Sequence, residues 1–361
     1  MNKDTYENPG EYYRRISVQP YVQPFIGPTA TEIPLPEIKS AIELNMDMEP
    51  ALLQATEGRT KLIGDTYSVL TFVHFSDVHA VQEMWDRISE YVNHYRRFIS
   101  FCIHTGDYCG GFQEHFRDLY SGVPCVRPII NCTGNHDTIN RKHEKLPKEM
   151  VWNKLFMHAD NWGGQFMDIP FPTSWYRDFP ESNIRLITLD PYYDIAQQCE
   201  WLTNILHDAK ENNLAVITAM HEPTGKIVIN EDVSFQTLTD YAAFGFYNTN
   251  TSEFDRIIGN FIQHGGQHIC HLAGHYHSDH FGFTENGVLN IVVECASDWA
   301  GLCDGKRMRG TRTFDCFNIV CVDVNLGLIK LIRIGDNLDY LLRSRKTLCY
   351  DYRNRKVISN S

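Results

Sequence analysis

The fold is decided by one stretch of the chain, YSVLTFVHFSDVH, residues 67–79. Most of its residues are β-branched, aromatic or aliphatic, which is typical of a buried β-strand. The run then ends in two polar side chains, Asp77 and His79, on either side of Val78. The stretch therefore predicts a core strand whose carboxyl end carries groups that can bind a metal ion.

The same arrangement recurs along the chain. Residues 80–98 place apolar side chains near helical spacing, and residues 197–210 and 252–266 do the same. Four further strand-like runs also end in polar motifs: ISFCIHTGD (99–107), RPIINCTGNHD (127–137), LAVITAMHE (214–222) and HICHLAGHYH (268–277). A strand-rich C-terminal part follows, with a hairpin turn expected at Asn286–Gly287. Alternating strands and helices predict an α/β protein whose sheets are sandwiched between helices.

Composition excludes several classes of protein. The chain has 361 residues, of which 43% are hydrophobic, so wholesale disorder is excluded. The net charge of −12 argues against a general nucleic-acid binder. No apolar run reaches the ~18 residues of a membrane helix, and the first residues contain no secretory signal. The 11 cysteines include no CxxC pair, so we expect reduced thiols and a cytoplasmic protein.

The chain divides into three predicted parts. Residues 1–67 form an extended N-terminal arm, because prolines recur from Pro20 to Pro36 and block helix formation. Residues 68–340 contain no linker and form the catalytic domain. Residues 341–361 form a C-terminal tail that packs on this domain.

The polar motifs at the five strand ends are predicted to converge, because ligand sites of α/β sheets lie beyond the carboxyl ends of the strands. The side chains that can bind a cation are Asp77, His79, Asp107, Asn135, His221, His275 and His277. All of them offer nitrogen or oxygen, which suits Mn, Fe, Zn or Ni. Seven ligands are too many for one ion but suit two ions that share a carboxylate, a common device for displacement at phosphorus.

Taken as a set, these motifs resemble the calcineurin-like metallophosphoesterase signature. The motifs are Asp77-x-His79, Gly106-Asp107, Gly134-Asn135-His136-Asp137, His221 and Gly274-His275-x-His277. The resemblance covers about residues 70–335. It implies a four-layer α/β/β/α sandwich with a dinuclear centre of two divalent or trivalent transition-metal ions, manganese among the candidates.

The resemblance also implies a role for each site residue. Asp77, His79 and His277 would hold the first ion, Asn135, His221 and His275 the second, and Asp107 would bridge the two. A bridging hydroxide would attack phosphorus in line. His136 would contact the substrate phosphate and assist the leaving group. Asp137 and Asp279 are expected to orient the loop or a ligand rather than react.

The motifs of this chain differ from those of some related enzymes, and these differences narrow the choice of subfamily. The motif GNHD, together with Gly110 where protein phosphatases of this family have a carboxylate, points to a group that includes phosphodiesterases. The metal ligands do not distinguish a monoesterase from a phosphodiesterase acting on a nucleotide or lipid-derived diester. A third alternative is a non-catalytic interaction module on the same fold, but such a protein would be expected to lack ligands, and none is missing.

The expected partner is a small phosphate-ester substrate. General nucleic-acid binding and membrane association are not expected. The N-terminal arm is a candidate for assembling a homo-oligomer.

Overall fold

A computed structural model describes residues 39–57, 69–108, 122–140, 142–156, 162–225, 227–228, 251–277, 279–297, 308–336 and 347–360. All of the predicted site residues lie within these segments. The proline-rich residues 1–38 of the predicted arm lie outside them, as does Gly110.

The described residues form fifteen strands and six α-helices. In chain order the strands are β1 (Val69–Phe75), β2 (Phe101–His104), β3 (Ile129–Asn131), β4 (Gln165–Phe166), β5 (Trp175–Phe179), β6 (Ile184–Thr188), β7 (Ala215–Ala219), β8 (Ile227–Val228), β9 (His268–Ala273), β10 (His280–Thr284), β11 (Leu289–Val292), β12 (Phe317–Asp323), β13 (Leu328–Ile334), β14 (Thr347–Asp351) and β15 (Lys356–Asn360). The α-helices are α1 (Ala41–Leu44), α2 (Glu49–Ala55), α3 (Gln82–His94), α4 (Lys148–Leu155), α5 (Ile195–Glu211) and α6 (Thr251–Gln263). Short 3₁₀ turns are formed by Met46–Met48, His136–Thr138, Pro180–Ser182 and Arg312–Phe314.

The first of two sheets has seven described strands in the order β15-β14-β13-β12-β1-β2-β3. Strands β1, β2 and β3 are parallel, and β12 to β15 continue the sheet in antiparallel pairs. β1 lies inside the sheet between β12 and β2, and all seven of its residues are buried, which explains its continuous apolar sequence.

The second sheet has eight described strands in the order β4-β5-β6-β7-β9-β11-β10-β8. Its central strands β6, β7, β9 and β11 are parallel. Antiparallel pairs complete both sides, β4–β5–β6 on one and β11–β10–β8 on the other. Each sheet therefore contains a run of adjacent parallel strands, at one end of the first sheet and in the middle of the second, so both have an edge where several carboxyl ends lie together.

The two sheets pack face to face and helices cover their outer faces. Between the sheets the ring of Phe101 lies 5.1 Å from that of Phe179. Helix α3 packs Tyr91 against Phe317, at 5.1 Å, on the outer face of the first sheet. Helices α5 and α6 cover the outer face of the second sheet with a separate apolar cluster that includes the fully buried Leu202 and Phe254. Burying each such side chain contributes about 2–3 kcal/mol. The predicted α/β/β/α sandwich is confirmed.

Part of the segment predicted as the N-terminal arm is helical and packs on the core. Helices α1 and α2 lie within the segment predicted as arm, yet Met48 and Leu52 belong to the main hydrophobic core. Residues 39–361 form one compact unit. The physical reason is local: the prolines become sparse after Pro36, and Ser40 and Glu43 then form a capping box that starts α1.

Two further segments acquire a defined structure. The predicted C-terminal tail contributes β14 and β15, which extend the first sheet. The aromatic stretch 161–179 forms the β4–β5 hairpin and buries Trp162 and Trp175 in the core. The expected turn at Asn286–Gly287 does connect the antiparallel strands β10 and β11. None of the described helices has the length and apolar character needed to cross a membrane.

Candidate metal centre

The seven predicted ligands all follow parallel strands at their carboxyl ends. Asp77 and His79 follow β1, Asp107 follows β2, Asn135 follows β3, His221 follows β7, and His275 and His277 follow β9. Three of these strands belong to the first sheet and two to the second. The site is therefore assembled where the carboxyl ends of the two sheets meet.

The backbone at these strand ends adopts a conformation that is uncommon for residues with a side chain. Five of the seven ligands have positive φ: Asp77 (54°), His79 (48°), Asp107 (55°), His275 (69°) and His277 (52°). Such left-handed conformations cost energy and concentrate at functional sites. Here they turn each chain sharply out of its strand.

Two glycines of the motifs let these turns pack closely. A Cβ on Gly134 would lie 2.0 Å from the backbone nitrogen of Asp107. A Cβ on Gly274 would lie 1.9 Å from Ser76 Oγ and 2.4 Å from Asp77 Oδ2. No side chain larger than hydrogen fits at these contacts, which accounts for both glycines.

The first group of donor atoms consists of Asp77, His79 and His277. His277 Nε2 lies 3.1 Å from Asp77 Oδ1 and 3.1 Å from His79 Nε2. His79 Nε2 lies 3.8 Å from Asp77 Oδ1. With Asp107 added, one ligand atom from each of the four residues lies within 4.8 Å of the others.

The second group consists of Asn135, His221 and His275. Asn135 Oδ1 lies 3.0 Å from His221 Nε2 and 3.1 Å from His275 Nδ1, and these two nitrogens are 3.1 Å apart. His221 Nε2 also lies 3.3 Å from Asp107 Oδ2. Asp107 thus lies close to both groups of donor atoms.

These distances fit the coordination of metal ions. Two ligands bound to one ion at about 2.1 Å lie about 3.0–3.4 Å apart at octahedral or tetrahedral angles. Most of the donor pairs within each group fall at or near that spacing. The donors are imidazole, carboxylate and amide, the ligand types that suit first-row transition metals.

The charges of the site favour a cation. Asp77 and Asp107 are buried, and burial alone would raise their pKa values, but neighbouring imidazoles hold both well below the usual range. Burial lowers the pKa of His221, yet the two carboxylates outweigh it and raise the value to about 10. Burial lowers the pKa of His79 and of His275 to about 3, which favours the neutral form that binds metal. His221 and His277, by contrast, would release a proton when a cation binds.

Backbone groups orient several ligand side chains. His221 donates its Nδ1–H to the carbonyl oxygen of Thr105 at 2.8 Å, which turns Nε2 toward Asp107 and Asn135. Asp77 Oδ2 accepts the backbone N–H of His275 at 3.0 Å, so one carboxylate links β1 to the loop after β9. This second-sheet contact aligns the two groups of donors.

His136 lies beside the two groups and is more exposed than the carboxylates. Its Nε2 is 3.9 Å from Asp107 Oδ2, and 23% of its side chain is exposed. Its backbone N–H donates to Asp107 Oδ1 at 2.8 Å. The exposed imidazole therefore faces the side from which a substrate can approach.

The two residues expected in supporting roles occupy different places. Asp137 is buried, and its Oδ2 accepts the backbone N–H of Gly134 at 2.9 Å, within the loop that carries Asn135 and His136. Asp279 accepts a hydrogen bond from Arg333 and another from the backbone N–H of Glu294.

Sequence reasoning missed Cys295. Its thiol interacts with His277: burial lowers the pKa of His277, but Cys295 and Asp77 raise it well above the usual range. Cys295 follows β11, which is parallel to β9, so it too lies at a carboxyl end. The signal was a polar side chain directly after a strand. It was not recognised because the sequence marks β11 as the second strand of an antiparallel hairpin, and its parallel pairing with β9 is not visible in the local sequence.

The fold and the donor groups define a metal-binding α/β sandwich protein. The family model of the calcineurin-like phosphoesterases matches residues 70–279, more than half of the chain. The chain belongs to this family of phosphoester hydrolases.

Solved structures include similar folds. A dimetal phosphatase from Danio rerio has a TM-score of 0.54 and 12% identity, with 78% of this chain and 99% of that chain covered. A conserved uncharacterized protein from Streptococcus pneumoniae, titled a predicted phosphoesterase, has a TM-score of 0.33 and 11% identity over 81% of this chain and 96% of that one. At 12% identity the likeness to the dimetal phosphatase concerns the fold alone. No curated protein matches the sequence.

Proposed function

We propose that the protein is a dinuclear metal-dependent hydrolase of phosphate esters. Asp77, His79 and His277 hold one cation, a second set holds the other, and Asp107 is shared. The second set consists of Asn135, His221 and His275. The observation that carries this proposal is the position of Asp107, which has a ligand atom within 4.8 Å of those of the first group and an oxygen 3.3 Å from His221 Nε2 of the second.

Each residue then has a defined task. When bound, transition-metal cations would lower the pKa of a coordinated water and neutralise the phosphoryl oxygens. Asp77 and Asp107 supply the negative charge that retains the cations. His136 donates its imidazole proton to the leaving oxygen as the P–O bond breaks, while water attacks phosphorus from the opposite side. Asp137 keeps His136 in place through the hydrogen bond to Gly134.

The test combines metal content with turnover. We expect about two transition-metal ions per chain, and hydrolysis of para-nitrophenyl phosphate or its bis-ester with added Mn, Ni, Zn or Mg. Asp107→Asn should abolish turnover while the chain stays folded. A chain that binds no metal and hydrolyses neither ester would contradict the proposal and favour a non-catalytic interaction module.

The ester class is decided by the same assay. The runner-up function is a phosphodiesterase acting on a nucleotide or lipid-derived diester, and a preference for the bis-ester would support it. The loops expected to shape the pocket are 138–180 and 223–250, and residues 229–250 of the second lie outside the described residues. Manganese, iron, zinc and nickel are the candidate metals, since all accept this nitrogen and oxygen donor set.

A reducing, cytoplasmic compartment is part of the proposal. The nine described cysteines form no disulfide bond, and six of them are buried. Free thiols are typical of proteins that function in the cytosol. Cell fractionation with an antibody to the native protein tests this assignment.

The partner of the site is proposed to be a small phosphate ester. We also propose that the N-terminal arm assembles the protein into a homo-oligomer. Deletion of residues 1–38 leaves helices α1 and α2 intact, and the mass of the chain in solution should then fall to that of a monomer. An unchanged mass would contradict the role of the arm.

A further inference from the structure

Arg333 connects the first sheet to the loop that carries His275 and His277. It lies in β13 and is only 4% exposed. In the register of the sheet, Arg333 lies directly opposite Asn318 of β12, and Asn318 lies directly opposite His74 of β1. Residues directly opposite one another lie on the same face of a sheet. Arg333 therefore belongs to a polar row that leads toward the end of β1, where Asp77 follows.

The guanidinium group of Arg333 binds two carboxylates from the second sheet. Its Nη1 donates to Asp279 Oδ1 at 2.9 Å, and its Nη2 donates to Glu294 Oε2 at 2.9 Å. Nη2 also lies 2.9 Å from Cys316 Sγ. Asp279 comes two residues after His277, and Glu294 follows β11. One side chain thus joins three segments of the fold.

The two carboxylate segments are also connected to each other and to His277. The backbone N–H of Glu294 donates to Asp279 Oδ1 at 2.9 Å. Glu294 is followed directly by Cys295, whose thiol interacts with the ring of His277. His277 is therefore held through its own chain, by way of Asp279, and through Cys295, by way of Glu294. Both routes end at Arg333.

A planar guanidinium suits this task better than an ammonium group. It presents several N–H donors in a fixed plane and can bind two carboxylates in set directions, whereas the lysine ammonium is a single flexible point charge. A buried ion-pair cluster adds little net stability, because desolvation opposes the attraction. The main effect of the cluster is therefore to fix the positions of the segments that carry Asp279 and Glu294, rather than to stabilise the fold.

We propose that Arg333 is a positioning residue for the cation group formed by Asp77, His79 and His277. This role rests on the proposed dinuclear function and extends it, because it assigns to a residue of the opposite sheet the placement of one ligand. Arg333 fixes Asp279 and Glu294, which fix the direction of the His277 ring. Residues that orient a ligand in this way typically change metal affinity by about 10–100-fold when they are replaced.

The experiment uses Arg333→Lys, which keeps the charge but removes the planar fork. Arg185→Lys is a matched control: Arg185 is 2% exposed and also binds two carboxylates, Asp178 and Asp208, but neither adjoins a predicted ligand. Asp279→Asn removes one arm of the cluster and serves if Arg333→Lys fails to fold. His277→Ala is the reference for the loss of one ligand.

Metal content and Mn²⁺ titration are measured for each folded variant, with electron paramagnetic resonance to detect coupling between two bound ions. The wild type and Arg185→Lys should bind two coupled ions. Arg333→Lys should bind one of the two at least about tenfold more weakly and resemble His277→Ala in its spectrum. Asp279→Asn should show a smaller effect of the same kind.

Two results would overturn the role of Arg333. One is an Arg333→Lys chain that keeps two coupled ions at wild-type affinity. The other is an equal loss in Arg185→Lys, since the cause would then be general destabilisation. If the wild type itself binds no transition metal, the dinuclear function fails first and the role of Arg333 falls with it.

Discussion

Three aspartates follow buried parallel strands, but only two of them have imidazoles as neighbours. Asp77 and Asp107 are surrounded by histidines, which hold their pKa values well below the usual range despite burial. Asp190 follows β6 and is equally buried, and there burial raises its pKa to about 6, although hydrogen bonds oppose the shift. The same local pattern thus yields two charged carboxylates at the candidate metal centre and one carboxyl group whose ionisation is disfavoured by burial.

The elevated pKa of Asp190 predicts a pH-dependent stability. The folded chain holds this proton more tightly than the unfolded chain, so its contribution is fully present below pH ~4 and is lost as the pH rises through about 6. The loss approaches about 3 kcal/mol. Asp190→Asn has no carboxyl group to titrate at this position, so the variant should become more stable relative to the wild type as the pH rises from 4 to 7. The free energy of unfolding is measured with urea in the presence of chelator.

The control for this prediction is Asp168→Asn, at an exposed position. Its difference in unfolding free energy from the wild type should stay constant across the same pH range. A constant difference for Asp190→Asn as well would show that Asp190 is ionised normally in the folded chain.

His136 permits a prediction that separates proton donation from metal binding. His136→Ala should retain both cations but lower kcat by about 100-fold, because general acid assistance contributes that order of rate. The loss should be larger for phenyl phosphate than for para-nitrophenyl phosphate, since the poorer leaving group depends more on protonation. His207→Ala, an exposed histidine on α5, should behave as wild type. An equal loss with both esters would contradict the assignment of His136 as the acid.

At the scale of elements, the site depends on how closely the ends of β1 and β9 approach. Gly274 is the contact between them: a Cβ there would lie 1.9 Å from Ser76 Oγ and 2.4 Å from Asp77 Oδ2. The backbone N–H of Gly274 also donates to the carbonyl oxygen of His221 at 2.9 Å. One residue therefore sets the spacing of three strand ends.

Gly274→Ala should push β1 and β9 apart. We expect a loss of about 1–3 kcal/mol in unfolding free energy, as overpacking usually costs, together with weaker binding of metal. Gly310→Ala is the control, because no atom lies within 4 Å of its Cβ and only its positive φ of 77° opposes the change. The titrated metal affinity should fall in Gly274→Ala and remain at the wild-type value in Gly310→Ala. Equal metal affinities in the two variants would show that metal binding does not depend on the close approach of β1 to β9.

The sequence predicted the long, strongly patterned elements. Strands β1, β7 and β9 and helices α3, α5 and α6 were expected, because their patterns are complete within the element. Strand β4 has two residues, so no periodicity exists to detect. Strands β14 and β15 depend on pairing with the edge of β13, which the local sequence does not encode.

The candidate site was predictable to a similar extent. Its seven candidate ligands occur in short motifs directly after strands, so local sequence was enough to predict that they lie close together. Arg333 could not be found in this way: its contact with Asp279 joins residues 54 apart, and nothing in LIKLIRI marks that arginine as special. Partners that arise from the packing of one sheet on another require the assembled fold.

For the whole molecule, the site lies across the boundary between the two sheets. Asp77 and Asp107 come from the first sheet, whereas His221, His275 and His277 come from the second. A cation bound by both sheets binds the folded chain and not the unfolded one. Metal binding must therefore stabilise the complete sandwich rather than one loop.

This coupling predicts a large effect of chelation on unfolding. A ligand at a thousandfold excess over its Kd stabilises the folded chain by about 4 kcal/mol per site, so chelator should lower the Tm by several degrees and Mn²⁺ should restore it. Both sheets should unfold in one transition, because cations held at the proposed site would connect them. Asp107→Asn should lose most of the response to Mn²⁺, since the shared carboxylate is gone, while Asp168→Asn keeps it. Calorimetry with and without chelator measures these shifts, and a wild-type Tm that is indifferent to metal would mean that the two sheets do not share a bound ion.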